Sequence, residues 1–331
     1  MCPMQYFIEY NLGHKSPSNK KADKGTICHK VFEILAEIKL NTQFGRPYFY
    51  DDIMNQVSIA DYDLEKIIDQ VYDYYTSRFT HHEWTSLDLR DCRKWVYKAL
   101  EYNDGMFDPR NREIVSSEQH FDIEIKKDWA AYNYKTTDGF ITGNLAIKGT
   151  IDLMTKVNDN TIEIIDWKTG RRLDWATGEE KTLSKLHRDA QLMIYFYATH
   201  HLYPDIEHII ISINFINDGG VFSVCFDRPQ IYDVEMMLRH KFETIKNTYN
   251  PEQNKSWKCG KLCHFGKTTF ENTEYLPIIE YRDHQVTQKG RFMTKCEQIH
   301  HDIDVKGFNT VVDEYTKAGY SVGQYKAPGS A

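Results

Sequence analysis

The stretch IKGTIDLMTKVNDNTIEIIDWKTG, residues 147–170, decides how the rest of the chain is interpreted. Two runs rich in Ile, Leu and Val are joined by an Asn-Asp-Asn turn, a pattern that predicts a β-hairpin. Each run carries an aspartate, Asp152 or Asp166, where a buried strand should have none. A carboxylate in apolar surroundings loses several kcal/mol of solvation unless a cation or hydrogen bonds replace its water. We therefore expect a positive partner beside these aspartates.

Lys168 stands two residues after Asp166, and side chains two apart in a strand lie on the same face. The hairpin would add Asp152, so two carboxylates and an ammonium group should converge. Mg²⁺ and Mn²⁺ prefer such oxygen ligands, and they activate water and neutralise phosphate charge. A nearby lysine can orient the water or stabilise the transition state. The pattern therefore predicts hydrolysis of phosphodiester bonds.

An acidic residue, one spacer and a lysine is a weak motif by itself, because it occurs five times in this chain. Only Asp166-Trp167-Lys168 is preceded by an apolar strand that carries a second aspartate. A surface ion pair explains the other four occurrences. The signal therefore lies in the combination of the two strands.

The composition is that of an ordinary globular protein with a formal net charge of −7, so it has no overall basic field for nucleic acid. Nucleic-acid contacts would have to come from local basic sets. One set comprises Lys15, Lys20, Lys21, Lys24 and Lys30, and the other comprises Arg171, Arg172, Lys181, Lys185 and Arg188. Either set could equally be a solvated face. No apolar run reaches the ~20 residues of a membrane span and no signal peptide is evident, so we expect a cytoplasmic protein with no membrane partner.

Hydrophobic spacing predicts the order of the elements. Helices are expected at residues 25–40, within 50–103, at 184–201 and at 230–247. Strands are expected at 118–127, 145–157 and 161–169, followed by a hairpin at 208–226. Helices leading into a hairpin-rich sheet, with further helices crossing it, indicate the α/β class with a mixed sheet.

Five short motifs occur in a fixed order along the chain. They are Gly25-x-x-x-His29, Glu118 before a strand, Gly149-x-x-Asp152, Asp166-x-Lys168-Thr169-Gly170 and Gln191-x-x-x-Tyr195. This set resembles the RecB-like branch of the PD-(D/E)XK nuclease superfamily, which includes RecB and AddB nuclease domains, CRISPR-adaptation-associated nucleases and phage exonucleases. The resemblance implies a restriction-endonuclease-like mixed β-sheet core flanked by helices. It further implies a nuclease domain at 1–250 with a helical insertion at about 40–110, and a C-terminal extension at 251–331.

The resemblance also implies roles for individual residues. The metal ligands would be His29, Asp152, Asp166 and the main-chain carbonyl of Trp167. Lys168 would be the catalytic lysine and Glu118 an auxiliary acidic residue. The histidine ligand makes Mn²⁺ as suitable as Mg²⁺ or more so; taken alone, His29 could be an ordinary helix histidine.

Four further residues are candidate DNA contacts. Gln191 and Tyr195 are one helical turn apart and hence on one helix face. The resemblance implies that they contact DNA or support the site, and the alternative is a pair that faces the core. Arg171 and Arg172 follow the Asp166 motif and belong to the second basic set.

The seven cysteines do not form a secreted disulfide pattern, so we expect reduced thiols or metal ligands. Cys2 begins a Cys-Pro element that resembles the family's amino terminus, and Cys259 and Cys263 follow the nuclease core. Members with an iron–sulfur cluster use one amino-terminal and three carboxy-terminal cysteines. This chain departs from that pattern, since Cys296 is distant. Zinc bound by Cys2, Cys259, Cys263 and His264 is an alternative, as are ordinary buried thiols.

The prediction that follows is a metal-dependent DNA exonuclease that acts on DNA ends in recombination, repair or phage genome processing. Its partners would be single- or double-stranded DNA ends and a recombination or replication protein. One alternative is a DNA-end-binding or partner-binding module that retains the nuclease fold, and another is an endonuclease. The intact Asp152, Asp166 and Lys168 favour catalysis over binding alone.

Overall fold

A computed structural model describes residues 2–136, 139–173, 178–268 and 293–320. The α-helices are α1 (Pro3–Tyr6), α2 (Lys20–Gln43), α3 (Leu64–Thr76), α4 (Ser86–Leu100), α5 (Leu183–Leu186), α6 (Ala190–Leu202), α7 (Ile231–Lys246), α8 (Trp257–Lys261), α9 (Lys295–Lys306) and α10 (Phe308–Tyr315). The strands are β1 (Tyr48–Asp51), β2 (Asn55–Ser58), β3 (Ile114–Glu124), β4 (Ala131–Thr136), β5 (Gly139–Asn144), β6 (Ala146–Asn158), β7 (Thr161–Lys168), β8 (His208–Phe215) and β9 (Gly220–Asp227). Short π or 3-10 turns occupy Phe7–Asn11, Pro109–Asn111, Asp128–Ala130 and Arg228–Gln230.

The chain divides into two compact units. The central unit comprises Ser18–Ile125 and Ala146–Leu238, and the terminal unit comprises Met1–Pro17, Lys126–Leu145 and Arg239–Ala331. Among the described helices, none combines the length and apolar character needed to span a bilayer.

A five-stranded sheet in the order β3-β6-β7-β8-β9 forms the middle of the central unit. Neighbouring strands are antiparallel except β7 and β8, which are parallel. A parallel pair needs a crossover connection, and here the chain between the two strands contains α5 and α6. The predicted α/β class with a mixed sheet is confirmed, as is the hairpin that β8 and β9 form.

Helix α2 holds the main core of the central unit together. Its buried side chains pack with those of α3 and α4, and they also meet the end of β7. The Phe32 ring lies 4.7 Å from the ring of Trp167, centroid to centroid. The Asn19 side chain caps the helix by accepting from the amide of Ala22. This packing fixes the helix that carries His29 against the strand that carries Asp166.

Three local features differ from the sequence prediction. Part of the stretch expected to be helical at 50–103 is instead the β1–β2 hairpin, where the Asp51 carboxylate accepts from the amides of Ile53 and Met54. The single helix expected at 184–201 is two helices, because Asp189 caps the start of α6 through the Gln191 amide. The β4–β5 hairpin of the terminal unit was not predicted.

The terminal unit has its own apolar core, in which the first residues of the chain pack with late ones. The members that come from the start are Met4, Phe7, Ile8 and Leu12, and the later ones are Phe265, Ile299, Ile303, Phe308, Val311, Val312 and Tyr315. Cys2, Cys263 and Cys296 are partly buried against this core. The two ends of the chain are therefore parts of one folded unit.

Candidate active site

The ladder between β6 and β7 ends where the two aspartates meet. Leu153 pairs with Ile165, and the next residue along each strand is Asp152 or Asp166. At this point the Asp152 Oδ2 atom accepts the Trp167 amide at 3.3 Å, so a side chain replaces the main-chain partner. The apolar runs on either side form the strands, and the aspartates lie where those strands part.

Asp166 is fully buried, and its charge is balanced by Lys168. The Lys168 Nζ atom lies 2.8 Å from the Asp166 carboxylate. Among the described residues, none donates a hydrogen bond of good geometry to the Asp166 Oδ2 atom. Burial raises the pKa of Asp166 to about 6, with the Lys168 charge opposing and the Asp152 charge adding to this shift. A buried carboxylate with spare acceptor capacity is suited to a cation.

His29 bridges the two strands from α2. Its Nε2–H group donates to the Trp167 carbonyl at 2.7 Å, and its Nδ1 atom lies 3.3 Å from the Asp152 Oδ2 atom. Burial lowers the pKa of His29, but the Asp152 carboxylate outweighs burial and the pKa lies above its usual value. Burial raises the pKa of Asp152, yet the charges of His29 and Lys168 and the Trp167 amide hold it below its usual value. His29 and Asp152 therefore each favour the charged form of the other.

Glu118 has a left-handed backbone, with φ of 46°. Ser117 pairs with Leu153 and Gln119 with Ile151, so the register sets Glu118 opposite Asp152. Such a conformation is costly for a residue other than glycine and is often found at functional sites. Burial raises the pKa of Glu118 to about 7, and the charges of Asp152 and Glu33 add to the effect. Glu118 is therefore poised to exchange a proton near neutral pH.

These side chains surround a cavity of about 390 Å³. Its lining residues are Ala22, Gly25, Thr26, His29, Lys30, Glu33, Tyr75, Glu118, Asp152, Trp167, Lys168, Thr169 and Gly170. The carboxylates of Asp152 and Asp166, the main-chain carbonyl of Trp167 and the imidazole of His29 form a set of donor atoms. This set fits a divalent cation such as Mg²⁺ or Mn²⁺. Asp166 is one of the two carboxylates, although its buried side chain is not part of the cavity wall.

Two glycines of the ordered motifs permit close packing around the cavity. A Cβ atom on Gly25 would lie 2.9 Å from the Thr169 Oγ1 atom, so glycine lets α2 approach the end of β7. A Cβ atom on Gly149 would lie 2.6 Å from the ring of Phe121, its cross-strand partner. By contrast, Gly170 has no heavy atom of the described residues within 4 Å of such a Cβ atom.

Sequence reasoning missed Glu33, which lines the cavity one helical turn after His29. Lys30 lies 2.8 Å from the Glu33 carboxylate and 2.7 Å from that of Asp51, so it links α2 to the β1–β2 hairpin. The four-residue spacing between His29 and Glu33 was a signal in the sequence, since it sets both on one helix face.

Gln191 and Tyr195 interact with each other. The Gln191 side-chain amide donates to the Tyr195 hydroxyl at 2.8 Å. Tyr195 is buried and packs edge-on against Phe121, with ring centroids 6.5 Å apart. Burial raises the pKa of Tyr195, and the charges of Asp166 and Asp152 add to this. Tyr195 is therefore part of the core and lies near the two carboxylates, whereas Gln191 is exposed.

The two basic sets are extensively paired with acids. Arg172 lies 2.8 Å from Glu180 and stacks on the Phe222 ring at 3.7 Å, whereas Arg171 is exposed. Further ion pairs are Lys181–Asp189, Lys185–Glu179, Lys20–Asp88, Lys24–Asp91 and Lys30–Asp51. Most of these cations therefore have intramolecular partners.

Two cysteines of the terminal unit have thiol pKa values above the usual range. Burial raises the pKa of Cys296 to about 12, and Cys2, Cys263 and Cys259 add to the shift. Burial likewise raises the pKa of Cys263, to which Cys259 and Cys2 also contribute. By contrast, the pKa of His264 is lowered by burial and then by Lys295 and Lys267. Cys2, Cys263 and Cys296 pack against the same apolar core, so Cys296 is a further candidate ligand beside those that the sequence singled out.

Comparisons with known proteins agree with this geometry at the level of the family. A family profile described as the PD-(D/E)XK nuclease superfamily matches residues 1–267. One solved structure, titled "Crystal structure of SSO0001", aligns at 15% sequence identity over 78% of this chain and 90% of that chain, with a TM-score of 0.23. A likeness with so low a TM-score carries no argument about function. No curated protein matches the chain significantly.

Proposed function

Because this chain belongs to the PD-(D/E)XK nuclease superfamily, we propose that it is a divalent-metal-dependent DNA exonuclease of the RecB-like branch. The observation that carries the proposal is the convergence of Asp152, Lys168 and His29 on one cavity, with the buried Asp166 carboxylate in contact with Lys168. A site built only for binding would have no need of a fully buried carboxylate beside a lysine. The position of His29 on α2, in contact with the Trp167 carbonyl, supports the RecB-like assignment.

Asp152, Asp166, His29 and the Trp167 carbonyl would hold Mg²⁺ or Mn²⁺. When bound, the cation would neutralise charge on the phosphate and make water at the site more acidic. The Asp152 carboxylate raises the pKa of His29. A protonated His29 would have to release its proton before that nitrogen could serve as a ligand. Metal binding should therefore strengthen as pH rises through the titration of His29.

Lys168 would orient the attacking water or donate to a phosphate oxygen. Burial lowers its pKa, but the charges of Asp166 and Asp152 outweigh burial, so the pKa lies above its usual value and the amine stays charged. Its side chain is 35% exposed, which allows contact with a substrate in the cavity. A fixed cation at this place stabilises charge that develops on the phosphate.

Access to the cavity would be controlled by the segment 40–110. Its β1–β2 hairpin is linked to α2 by the Lys30–Asp51 ion pair, and Tyr75 of α3 lines the cavity. Tyr48 and Tyr50 on the hairpin are exposed, so their rings are available to stack on bases. We infer that this segment favours DNA ends or single strands over continuous duplex.

The terminal unit would carry an iron–sulfur cluster or zinc on Cys2, Cys259, Cys263 and Cys296. Cys2, Cys263 and Cys296 are partly buried against the same apolar core, which supports a site that brings them together. The set has one amino-terminal and three later cysteines. Such a group would staple the chain ends to each other.

Other properties remain part of the proposal. A DNA substrate would place the protein inside cells, in the host cytoplasm if a phage encodes it. Its role would be in recombination, repair or phage genome processing, and it would act with a partner protein. Gln191, Tyr195 and Arg171 would support or contact DNA. The division into a nuclease domain at 1–250 and an extension at 251–331 stays a prediction that limited proteolysis tests.

The decisive experiment compares end-labelled linear DNA with covalently closed circles, single- and double-stranded, in Mg²⁺ or Mn²⁺. We expect degradation of linear DNA only, and a fall in rate of about 10²–10³-fold in Lys168→Ala. The matched control is Lys148→Ala, which removes an exposed lysine from the same sheet. Cleavage of circles would instead indicate an endonuclease. Binding of DNA without cleavage would indicate a recognition module. If the protein neither bound nor cleaved DNA, the proposal would be refuted.

A further inference from the structure

A second group of metal-binding side chains lies in the central unit. Asp23 is in the first turn of α2, and His81 and His82 are in the connection between α3 and α4. The His82 Nε2 atom is 2.8 Å from the Asp23 Oδ2 atom, and the His81 Nε2 atom is 3.4 Å from the same oxygen. All three ligand atoms lie within 4.8 Å of one another.

This arrangement crowds one carboxylate oxygen. The Ser18 hydroxyl also donates to the Asp23 Oδ2 atom at 2.8 Å, and its oxygen lies 3.2 Å from the His81 Nε2 atom, so Ser18 and both histidines meet at this oxygen. The two imidazole rings are 4.0 Å apart, centroid to centroid, which is unfavourable if both are charged. A cation placed among the three ligand atoms would bind neutral imidazoles and so avoid this repulsion.

We propose that Asp23, His81 and His82 form a binding site for a divalent transition-metal ion of the zinc type. Two imidazoles and one carboxylate are typical ligands of Zn²⁺, whereas Mg²⁺ prefers oxygen alone. The Asp23 side chain is only 4% exposed, so its position is fixed by packing, while His81 is 40% exposed and leaves a route from solvent. The site does not depend on nuclease activity.

Binding would join two separate parts of the central unit. The α3–α4 connection would be attached to the start of α2, the helix that also carries Gly25 and His29. The Lys20–Asp88 ion pair connects α2 to α4 in the same region, and so a metal would reinforce an existing contact. The expected role is to hold the active-site helix in place.

The test measures Zn²⁺ bound per chain by equilibrium dialysis and elemental analysis, using protein without an affinity tag. Because the cysteines of the terminal unit can also bind zinc, the readout is a difference between variants. His81→Ala/His82→Ala should bind one zinc ion fewer than the wild type. The matched control is His200→Ala/His201→Ala, which removes another pair of consecutive histidines, in the last turn of α6. This variant should bind as much zinc as the wild type.

Ser18→Ala provides a graded check, because it removes a neighbour of the ligands and should weaken binding by about tenfold. His81→Ala alone, at an exposed side chain, should also lose the ion, and it answers the question if the double variant does not fold. Equal zinc content in the wild type and both histidine variants would overturn the proposal.

Discussion

At the scale of single residues, burial distinguishes the candidate catalytic pair from an ordinary ion pair. Asp166–Lys168 and Asp122–Lys148 lie in the same sheet, and both nitrogen-to-oxygen distances are 2.8 Å. Asp166 is 0% exposed, whereas Asp122 is 61% exposed. A surface pair contributes little to stability, but a buried carboxylate keeps its charge only with a cation nearby. The apolar residues around Asp166 made this difference visible in the sequence.

Glu118 should make the free energy of unfolding of the metal-free protein depend on pH. Its pKa is about 7 in the folded chain and about 4.5 unfolded, so its stabilising contribution is complete below about pH 4.5 and is lost as pH rises through about 7. After allowance for solvent screening, the loss amounts to about 1–2 kcal/mol. Between pH 5 and pH 8, urea unfolding in EDTA should show this loss in wild type and not in Glu118→Gln.

The control for this titration is Glu124→Gln, which makes the same change at an exposed position of β3. It should keep the wild-type pH dependence. A constant free-energy difference between the wild type and Glu118→Gln across this pH range would contradict the assigned environment of Glu118.

The sequence indicated which polar residues would lie together at the candidate site, but their geometry was only partly predictable. Asp152, Asp166 and Lys168 stand out because polar groups interrupt apolar strands. Glu33 does not, since glutamate on a helix surface is common. The left-handed backbone of Glu118 and its position opposite Asp152 are set by the fold, and no local sequence pattern indicated them.

At the scale of elements, apolar periodicity was informative where packing follows it. It predicted α2, β6, β7 and the β8–β9 hairpin. It failed for the β1–β2 hairpin, because that hairpin is exposed along much of its length and its turn depends on Asp51 side-chain bonds. It also missed the capping role of Asp189, which ends one helical stretch and starts another.

Gly149→Ala should destabilise the pairing of β3 with β6. The added Cβ atom would lie 2.6 Å from the buried Phe121 ring, which would have to move, at a cost of about 1–3 kcal/mol. Gly170→Ala is the control, because its Cβ atom meets open space among the described residues, and it should change stability by less than about 0.5 kcal/mol. Urea unfolding measures both. Equal stability of the two variants would show that the ring adapts freely.

At the scale of the whole molecule, contacts between the first and last parts of the chain were the hardest to predict. The sequence suggested Cys2, Cys259 and Cys263 as ligands but left Cys296 aside as too distant. In the folded terminal unit, Cys296 is partly buried against the same apolar core as Cys2 and Cys263. Separation along the chain is a poor guide to distance once both ends share one core.

The purified protein should therefore contain iron or zinc that depends on Cys296. Cys296→Ser should lose this metal, and its Tm should fall by about 5 °C or more because the metal contributes to folding of the terminal unit. Cys225→Ser, at an exposed cysteine on β9, should change neither property. Elemental analysis, absorbance and thermal unfolding give the result. Metal-free wild-type protein, prepared without oxygen or chelator, would contradict this part of the account.

The most direct test of the central claim is cleavage of linear DNA in Mn²⁺ by Asp166→Asn and by Asp122→Asn, each compared with the wild type. The two variants make the same substitution in the same sheet, in one case at the buried site and in the other at the surface. We predict that Asp166→Asn loses at least about 10²-fold in rate while Asp122→Asn cleaves like the wild type. Equal cleavage by both variants would show that phosphodiester hydrolysis, if present, occurs elsewhere in the protein.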